Sequence, residues 1–372
     1  MTRIIGVEIY FVDLPPKKIR TDSIQSFEKQ ETPIVRIVDS DGVEGIGYCY
    51  TIGTGGSSVC SLLVDHLLPK IIGEDSNNIE AIWRKLKFST NATMVGPITA
   101  LALAAIDIAL WDMRCRRTHT PLSQLAGGAR PSSQLYSSEC GWLQIPIQEL
   151  VDGALEAKDA GFLGVKVKVG KEKIAEDLSR LEAVRAAVGD SFEIMVDCNQ
   201  VFKLDEAMRR ARAFEPYNLA WMEEPLPADD VSGHVTLARS TQIPIAVGES
   251  IYSIQQFVEF MRRDGCSVVQ VDVARIGGIS PWLKVAHAAD CFNMAVAPHF
   301  MMELHASLVC GTQSSRWVEF IPQLDDICTS TPLVIDGRIE APISSDIGIQ
   351  WDWSEIKRRN KIEKGKSVIG QI

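Results

Sequence analysis

The sequence lacks the features of a membrane protein, a disulfide-rich secreted domain and a nucleic-acid-binding protein. Its most apolar segment, residues 97–111, is too short to span a bilayer and contains Asp107. The nine cysteines are odd in number and include no Cys-x-x-Cys pair, which favours free thiols in a reducing cytosol. The formal net charge of −10 argues against a phosphate backbone as partner. We therefore expect a cytoplasmic protein that binds neither nucleic acid nor membrane.

Short-period repeats, low-complexity linkers and the pattern of a secretory signal are also missing. The first residues lead into only a short apolar run that Glu8 interrupts. What remains is a chain of 372 residues with 46% hydrophobic and 23% charged residues, an ordinary composition for a soluble globular protein. Its length suits one large barrel with a second domain, and we expect a homo-oligomer.

The N-terminal third has the pattern of strands followed by helices. Residues 4–14, 33–39 and 45–50 are β-rich, and the Asp-Ser-Asp-Gly sequence at 39–42 predicts a hairpin turn between the last two. From residue 60 the apolar residues recur with a helical period, and 98–112 predicts a buried helix. Strands and helices that do not alternate predict an α+β domain over residues 1–126.

After residue 126, short apolar strands alternate with amphipathic helices. This alternation is typical of βα units with parallel strands, and eight such units predict an α/β barrel of the TIM type over residues 127–332, with the active site at the C-terminal strand ends. The final segment, 333–372, is predicted to return to the first domain. The predicted barrel strands are residues 133–138, 164–169, 193–197, 220–223, 245–249, 268–272, 295–298 and 316–320.

Lysine and valine alternate in the second predicted barrel strand. Because side chains alternate along a strand, Lys166 and Lys168 project to one face and the valines to the other. On a buried strand, desolvation and mutual repulsion disfavour both charges, so one lysine is expected to be a neutral amine that acts as a base. The alternative is an exposed edge strand whose lysines discourage aggregation.

The next three predicted strands each end on a carboxylate, namely Asp197, Glu223 and Glu249. Each residue alone could be a helix cap. In a parallel barrel, however, all three converge on one mouth, where they repel strongly unless a cation neutralises them. A set that offers only oxygen atoms selects a hard divalent ion, so the sequence predicts Mg²⁺, with Mn²⁺ as a substitute.

The other polar residues at the strand ends suit proton transfer beside a metal-bound carboxylate. Lys166 and the metal would stabilise the second negative charge that forms when the α-carbon loses a proton. Lys168 on one face and His299 on the other are the predicted bases, and Asp272 is predicted to bind the far ring nitrogen of His299. Glu319, if protonated, would donate to the enediolate oxygen.

In their order and spacing, these segments resemble the mandelate racemase subgroup of the enolase superfamily over essentially the whole chain. The resemblance implies an α+β capping domain on a modified TIM-type (β/α)7β barrel. The segments that carry it are Lys-Val-Lys at 166–168, Val-Asp-Cys-Asn-Gln at 196–200, Trp-Met-Glu-Glu-Pro at 221–225, Gly-Glu-Ser at 248–250, the run from Asp272 to Gly278, and Pro-His at 298–299.

For the active site, the resemblance implies that the three carboxylates named above hold Mg²⁺ and that Lys168 and His299 are the two acid/base catalysts. It further implies that Asn199 contacts the substrate and that Glu319 contacts the substrate carboxylate. Of the two adjacent glutamates at 223 and 224, the family pattern makes the first the metal ligand. The segments at 223–226, 277–281 and 297–303 look most like the talarate/galactarate dehydratases of this subgroup.

Two reactions are compatible with these residues. Elimination of a β-hydroxyl would make the enzyme a dehydratase that gives a 2-keto-3-deoxy sugar acid, whereas return of the proton would make it a racemase, epimerase or cycloisomerase. The loop at residues 16–23, with Lys17 and Arg20 as expected substrate contacts, is polar and fits a polyhydroxylated acid, although it could equally be a solvated loop. We therefore expect an acid-sugar dehydratase acting on an aldarate or aldonate such as galactarate or talarate; a non-catalytic ligand-binding relative is the third alternative.

Overall fold

The computed structural model describes residues 2–93, 96–330, 332–362 and 367–371, so the outer limits of the predicted domain ranges, Met1 and Ile372, lie outside it. The N-terminal part forms a small sheet domain, the cap, with helices packed on it. Its elements in chain order are β1 (Ile4–Asp13), β2 (Arg20–Thr21), β3 (Ser26–Phe27), β4 (Glu31–Asp39), β5 (Glu44–Tyr48), α1 (Gly56–Leu62) with a π-helical turn (Leu63–Leu67) and a 3-10 turn (Leu68–Lys70), α2 (Ile79–Ser89), a 3-10 turn (Asn91–Thr93), α3 (Pro97–Thr118) and α4 (Leu122–Leu125).

The cap sheet is antiparallel and packs against the long helix α3. β1 pairs with β4 and β4 with β5, and the predicted hairpin turn is confirmed, since the Gly42 amide donates to the Asp39 carbonyl oxygen at 2.9 Å. Gly42 has a φ of 78°, which a glycine adopts without steric cost. Where β5 crosses α3, Gly47 lies so close to the helix that a Cβ would overlap the Ala105 carbonyl oxygen. Glycine therefore sets the distance between sheet and helix.

A closed barrel of eight parallel strands follows, and it confirms the predicted fold class. Consecutive strands pair in parallel, and the ring closes because β13 pairs with β6 and Val296 bridges to Ser315. The elements are β6 (Ser132–Ser137), α5 (Ile147–Asp159), β7 (Gly164–Lys168), α6 (Ile174–Val188), β8 (Glu193–Asp197), α7 (Leu204–Phe214) with a 3-10 turn (Glu215–Tyr217), β9 (Trp221–Glu223), α8 (Val231–Ala238), β10 (Ile245–Val247), α9 (Ile254–Arg262), β11 (Val268–Val269), α10 (Ile279–Cys291), β12 (Ala295–Val296), α11 (Met302–Gly311) and β13 (Trp317–Phe320).

The C-terminal segment divides between the two domains. Its first strands stay with the barrel, where β15 pairs antiparallel with β6, and only the last strand joins the cap, where Gly370 pairs with Gly6 of β1. The predicted domain limits at 126/127 and 332/333 stay a prediction. The elements of this segment are β14 (Val334–Ile335), β15 (Arg338–Glu340), α12 (Trp353–Arg359) and β16 (Val368–Gly370).

Helix α3 joins the cap to the barrel through a buried carboxylate. As predicted, nearly every turn of α3 is buried, and Asp107, only 1% exposed, is an acidic residue on its buried face. Its two oxygens accept from the Ser280 backbone N–H at 2.9 Å and from the Ser280 hydroxyl at 2.7 Å, at the start of α10. Burial raises the pKa of Asp107 to about 7. Among the described residues, no helix combines the length and apolar character needed to cross a bilayer.

Candidate active site

Asp197, Glu223 and Glu249 come together at the mouth of the barrel. Asp197 and Glu223 are register partners at the ends of adjacent parallel strands, and Glu249 follows the next strand. One carboxylate oxygen from each residue lies within 4.8 Å of the others, and all three side chains are buried. The strand ends thus bring together the three carboxylates that the sequence predicts as metal ligands.

The chemistry of this cluster fits a hard divalent cation. Burial and the neighbouring Asp197 charge raise the pKa of Glu223 to about 7, as expected for carboxylates that repel one another in a dry site. One Glu223 oxygen also accepts from the Gln270 side-chain amide at 2.7 Å and from the Trp221 indole at 3.4 Å. These neutral donors orient the carboxylate, and a set of three carboxylate oxygens is the kind of donor set that a hard divalent cation prefers.

Lys166 and Lys168 are both buried and face the carboxylate cluster, which excludes the exposed edge strand. The Lys166 ammonium lies 3.1 Å from both Glu223 oxygens and 3.6 Å from Asp197. Lys168 forms an ion pair with Asp197 and donates to the Asn199 amide oxygen at 3.0 Å. Both lysines therefore reach the same group of acids from one face of β7.

The expectation that Lys168 is neutral stays a prediction, because the surrounding charges act on it in both directions. Burial, the largest effect, and the charge of Lys166 favour the neutral amine, whereas the charges of Asp197, Glu249 and Glu223 together raise the pKa of Lys168. Conversely, although burial acts against ionisation, the two lysines lower the pKa of Asp197.

His299 and Asp272 form the predicted pair. His299 Nδ1 lies 2.8 Å from Asp272 Oδ2, and His299 Nε2 lies 3.2 Å from Glu249 Oε2. Burial opposes protonation of the imidazole, but Glu249 and Asp272 raise the pKa of His299. Burial likewise opposes ionisation of Asp272, yet the hydrogen bond with His299 lowers the pKa of Asp272 to about 2. The imidazole is therefore held between two acids, one on each ring nitrogen.

Tyr50, which the cap contributes to this pair, has no signal in the sequence. The Tyr50 hydroxyl donates to Asp272 Oδ2 at 2.6 Å and lies 3.5 Å from His299 Nδ1. Because Tyr50 follows β5 in the first domain, nothing in the local pattern marks it as a neighbour of residues more than 200 positions away. Only the docking of the cap on the barrel brings these side chains together.

Arg275 is a second residue without an assigned role in the sequence analysis. Its guanidinium donates to the Glu249 carbonyl oxygen at 3.0 Å and to a Glu249 carboxylate oxygen at 3.3 Å, and it lies 5.7 Å from the centre of the Tyr50 ring. Arg275 belongs to the segment between Asp272 and Gly278 that the family resemblance singled out, so the segment could have drawn attention to it. Its contacts hold the third carboxylate in place.

Glu319 lies in the site, where hydrogen-bond donors from three other parts of the chain surround it. Its oxygens accept from Lys166 at 2.8 Å, from the Phe300 backbone N–H at 2.8 Å and from the Ser138 hydroxyl. Burial, the largest effect, acts to raise its pKa, but Lys166, His299 and the Ser138 hydroxyl together keep the pKa of Glu319 well below its ordinary value. Three donors surround this carboxylate, and the donation of a proton by Glu319 to the enediolate oxygen stays a prediction.

The two residues that follow the ligand positions turn away from each other. Asn199, with a φ of 44°, places its amide oxygen on Lys168, inside the site. Glu224, with a φ of 37°, points outward and accepts from the Gln200 side chain at 2.9 Å and from the Ser250 backbone N–H at 3.2 Å. Glu223, and not Glu224, therefore belongs to the carboxylate cluster, as the sequence analysis expected.

Of the two loop cations predicted to contact substrate, the structure brings only Arg20 near the site. Lys17 is 73% exposed in its side chain and pairs with Asp325 at 2.9 Å, so it joins none of the residues described above. Arg20 is buried, pairs with Glu139 at 2.8 Å and lies 5.9 Å from the centre of the Trp142 ring. Trp142 in turn lies 5.3 Å from the Lys168 ammonium, which connects Arg20 to the catalytic face.

Family models match nearly the whole chain. Residues 6–127 match the model described as mandelate racemase / muconate lactonizing enzyme, N-terminal domain, and residues 149–355 match the enolase C-terminal domain-like model. These two ranges correspond to the cap and to most of the barrel.

Named relatives extend the comparison. The chain is 36% identical over 326 residues to L-talarate/galactarate dehydratase of Salmonella typhimurium. The aligned region covers 88% of this chain and 81% of the relative. It is 32% identical over 356 residues to 3,6-anhydro-alpha-L-galactonate cycloisomerase of Streptomyces coelicolor, covering 95% and 98% respectively.

Solved structures share the fold of this chain over both the cap and the barrel. L-Talarate dehydratase from Polaromonas sp. JS666, complexed with Mg and L-glucarate, superposes with a TM-score of 0.94 at 31% identity over 100% of both chains. L-Talarate/galactarate dehydratase from Salmonella typhimurium LT2, liganded with Mg and L-lyxarohydroxamate, gives a TM-score of 0.93 at 32% identity, covering 100% of this chain and 95% of the other.

Proposed function

Because the chain belongs to the mandelate racemase / muconate lactonizing enzyme family of the enolase superfamily, we propose that it is an acid-sugar dehydratase. It is a hydro-lyase with Mg²⁺ as its cofactor. The proposed substrate is an aldarate or aldonate such as galactarate or talarate, and the proposed product is a 2-keto-3-deoxy sugar acid. The observation that carries this proposal is the position of two acid/base groups on different sides of one carboxylate cluster, Lys168 against Asp197 and His299 against Glu249.

In this proposal, Asp197, Glu223 and Glu249 hold the metal. Their oxygen-only donor set, mutual proximity and burial suit Mg²⁺, and named relatives carry Mg in their solved structures. When bound, Mg²⁺ supplies positive charge beside the substrate carboxylate, which favours the second negative charge that develops as the α-proton leaves.

The protein's own residues move the protons. One of Lys168 and His299, in its neutral form, takes the α-proton as the C–H bond breaks. The other, in its protonated form, gives a proton to the β-hydroxyl as the C–O bond breaks, so that water leaves and an enol remains. The enol takes up a proton at the β-carbon to give the 2-keto acid, and no oxidant or reductant is required. A positioned acid or base of this kind contributes roughly 10²- to 10⁴-fold to the rate.

The neighbouring residues support these two groups. Lys166, which Glu319 and Glu223 hold, offers a fixed positive charge for the substrate carboxylate. Asp272 accepts from Nδ1 of His299 and leaves Nε2 to face the mouth. Asn199, beside Lys168, is placed to contact a hydroxyl of the substrate.

The proposal is tested by incubating the Mg²⁺-loaded protein with a panel of aldonates and aldarates and assaying the formation of 2-keto acids. We expect one or a few related sugar acids to react. If no member of the panel gives a keto acid while Mg²⁺ binding is intact, the dehydratase assignment is wrong.

The similarity to a cycloisomerase favours a second candidate function. The alignment with this relative covers 98% of its length. A cycloisomerase, racemase or epimerase would use the same two acid/base groups. Incubation of each acid in D₂O separates a racemase or epimerase from a dehydratase, because incorporation of deuterium at the α-carbon without keto-acid formation indicates that the proton is removed and returned without loss of water. A cycloisomerase is separated by the mass of its product, which in ordinary water equals that of the substrate because no water is lost.

A further inference from the structure

The hairpin of β2 and β3, which we call the lid hairpin (residues 20–27), is fixed to the barrel beside Lys168. The Leu143 backbone N–H donates to the Thr21 carbonyl oxygen at 2.8 Å. The Ser23 hydroxyl donates to the Cys198 carbonyl oxygen at 2.6 Å, one residue after the metal-ligand position Asp197. The lid hairpin therefore has a defined position over the ends of β7 and β8.

Asp22, between these two anchors, is 4% exposed and uses only one of its carboxylate oxygens. Oδ1 accepts from the backbone N–H groups of Ile24 at 2.7 Å and Gln25 at 2.8 Å, which closes a tight turn. Oδ2 is buried and has no hydrogen-bond partner among the described residues. Burial raises the pKa of Asp22, and the Lys168 ammonium acts in the opposite direction. A buried carboxylate oxygen without a donor is unfavourable, because it has lost its hydrogen bonds to water and gained none from the protein.

Two donors without partners lie in the same region. Arg20 Nε and Trp142 Nε1 are buried and have no acceptor among the described residues. The Trp142 ring lies 5.3 Å from the Lys168 ammonium and 5.9 Å from the Arg20 guanidinium carbon. One acceptor and two donors thus remain unpaired around a proposed catalytic lysine, whereas the remainder of the Asp22 and Arg20 side chains is held by hydrogen bonds.

A polyhydroxylated ligand matches this set of groups, because each hydroxyl both donates and accepts a hydrogen bond. An apolar acid leaves all three atoms unpaired. A second carboxylate of the ligand has no proton for Asp22 Oδ2 and repels it as a like charge, so a hydroxyl, not a carboxylate, is the group that suits this oxygen.

We propose that Asp22 is a specificity-determining residue whose Oδ2 accepts a hydrogen bond from a hydroxyl of the acid sugar. Trp142 Nε1 donates to the same chain of hydroxyls. This inference rests on the proposed function in so far as the ligand is an acid sugar. It assigns the preference for hydroxylated acids to one carboxylate oxygen of the cap.

The test compares ligands that differ only in their hydroxyls. Binding of galactarate and of adipate, and of gluconate and of hexanoate, is measured by calorimetry on the Mg²⁺-loaded wild type and on the Asp22→Asn variant. Asparagine keeps an oxygen for the turn to Ile24 and Gln25 and replaces Oδ2 with an N–H₂ donor. We expect wild type to prefer the hydroxylated member of a pair, and Asp22→Asn to weaken that binding by roughly 10- to 100-fold, the range for a hydrogen bond to a charged group.

Binding of adipate and hexanoate should change less than threefold, because they have no hydroxyl to lose. Trp142→Phe, which keeps an aromatic ring and removes the N–H donor, should weaken the same hydroxylated ligands. The matched control is Asp75→Asn, since Asp75 Oδ1 also accepts from a backbone N–H two residues on, at Asn77, but at an exposed turn. Thermal unfolding midpoints establish that each variant is folded.

The outcomes separate this inference from the proposed function. Equal binding of galactarate or gluconate by wild type and Asp22→Asn overturns the role of Asp22, even if dehydration is observed. Loss of binding confined to the hydroxylated acids supports it, even if the panel gives no keto acid and the dehydratase assignment fails. If wild type does not prefer the hydroxylated member of either pair, or if Asp22→Asn weakens adipate and galactarate alike, the inference is wrong.

Discussion

His299 Nδ1 and Asp272 Oδ2 lie 2.8 Å apart, although 27 positions separate the two residues in sequence. The other Asp272 oxygen accepts from the backbone N–H groups of Ala274 at 2.8 Å and Arg275 at 3.0 Å, so the carboxylate cannot rotate without losing both bonds. The backbone after β11 therefore fixes the orientation of the imidazole through Asp272. The second ring nitrogen, Nε2, faces the carboxylate cluster.

Removal of either proposed acid/base group should abolish or strongly reduce turnover. We expect Lys168→Ala and His299→Asn each to lower kcat by roughly 10²- to 10⁴-fold. Each variant lacks the group that either takes the α-proton or protonates the β-hydroxyl. Neither residue is a proposed metal ligand, so calorimetric Mg²⁺ affinity should remain largely intact. Full activity in both variants would contradict the assignment. Lys203→Ala, at an exposed position, is the control for loss of a lysine.

Loss of a ligand carboxylate should weaken metal binding. Glu249→Gln removes one negative charge from the cluster, and we expect the Mg²⁺ dissociation constant to rise at least about tenfold, since even residues behind metal ligands have effects of 10- to 100-fold. Glu224→Gln is the matched control, because Glu224 faces Gln200 and Ser250 instead of the cluster. Unchanged affinity in Glu249→Gln would remove this residue from the ligand set. A chelator should abolish activity in wild type, and added Mg²⁺ should restore it.

The tyrosine contributed by the cap should affect turnover through the Asp272–His299 pair. Tyr50→Phe removes only the hydroxyl that donates to Asp272, and we expect kcat to fall by roughly tenfold or more, with a smaller change in KM. The chain offers a close control in Tyr48→Phe. Tyr48 is also buried, lies two residues earlier, and its hydroxyl has no partner among the described residues. Equal activity in the two variants would show that the Tyr50 hydrogen bond is irrelevant to catalysis.

The carboxylate between cap and barrel should make stability depend on pH. Burial raises the pKa of Asp107 from 3.8 to about 7, so the unfolded state binds fewer protons than the folded state between these values. The stability contributed by this acid is therefore fully present below its unfolded pKa and is lost as the pH rises through its folded pKa. Relative to Asp107→Asn, wild type should lose about 2 kcal/mol of unfolding free energy between pH 5 and pH 7.

Denaturant unfolding of both proteins at pH 5, 6, 7 and 8 measures this difference, in which titrations common to both proteins cancel. A difference that is flat across this range would contradict the shift assigned to Asp107.

The barrel could be predicted from the sequence because each of its strands is marked by a pattern of neighbouring residues. Period-2 apolar strands end on polar residues at regular intervals, and in a parallel barrel those ends share one mouth. This reasoning placed Asp197, Glu223 and Glu249 together, and it paired His299 with Asp272. The strand limits were also close, since the predicted strand at residues 193–197 coincides with β8.

Properties that depend on contacts across the fold were harder to predict. The hydrogen-bond donors of Glu319, namely Lys166, Ser138 and Phe300, come from three other parts of the chain. Likewise, the sequence marks the loop at residues 16–23 as polar, but it does not show that Lys17 turns to the surface while Asp22 turns inward. The direction of a single side chain in a loop has no periodic signal in the sequence. It depends on long-range contacts that fix the loop, such as the hydrogen bond from the Ser23 hydroxyl to the Cys198 carbonyl oxygen.

The pairing of β16 with β1 has a consequence for how the molecule is made. Residues 368–370 leave the ribosome after every barrel strand, yet they cover the edge of the sheet from which the lid hairpin extends. During synthesis, the edge of β1 that pairs with β16 therefore stays unpaired until all the barrel strands have been translated. Deletion of residues 368–370 therefore acts on the same sheet from which the lid hairpin and Tyr50 extend.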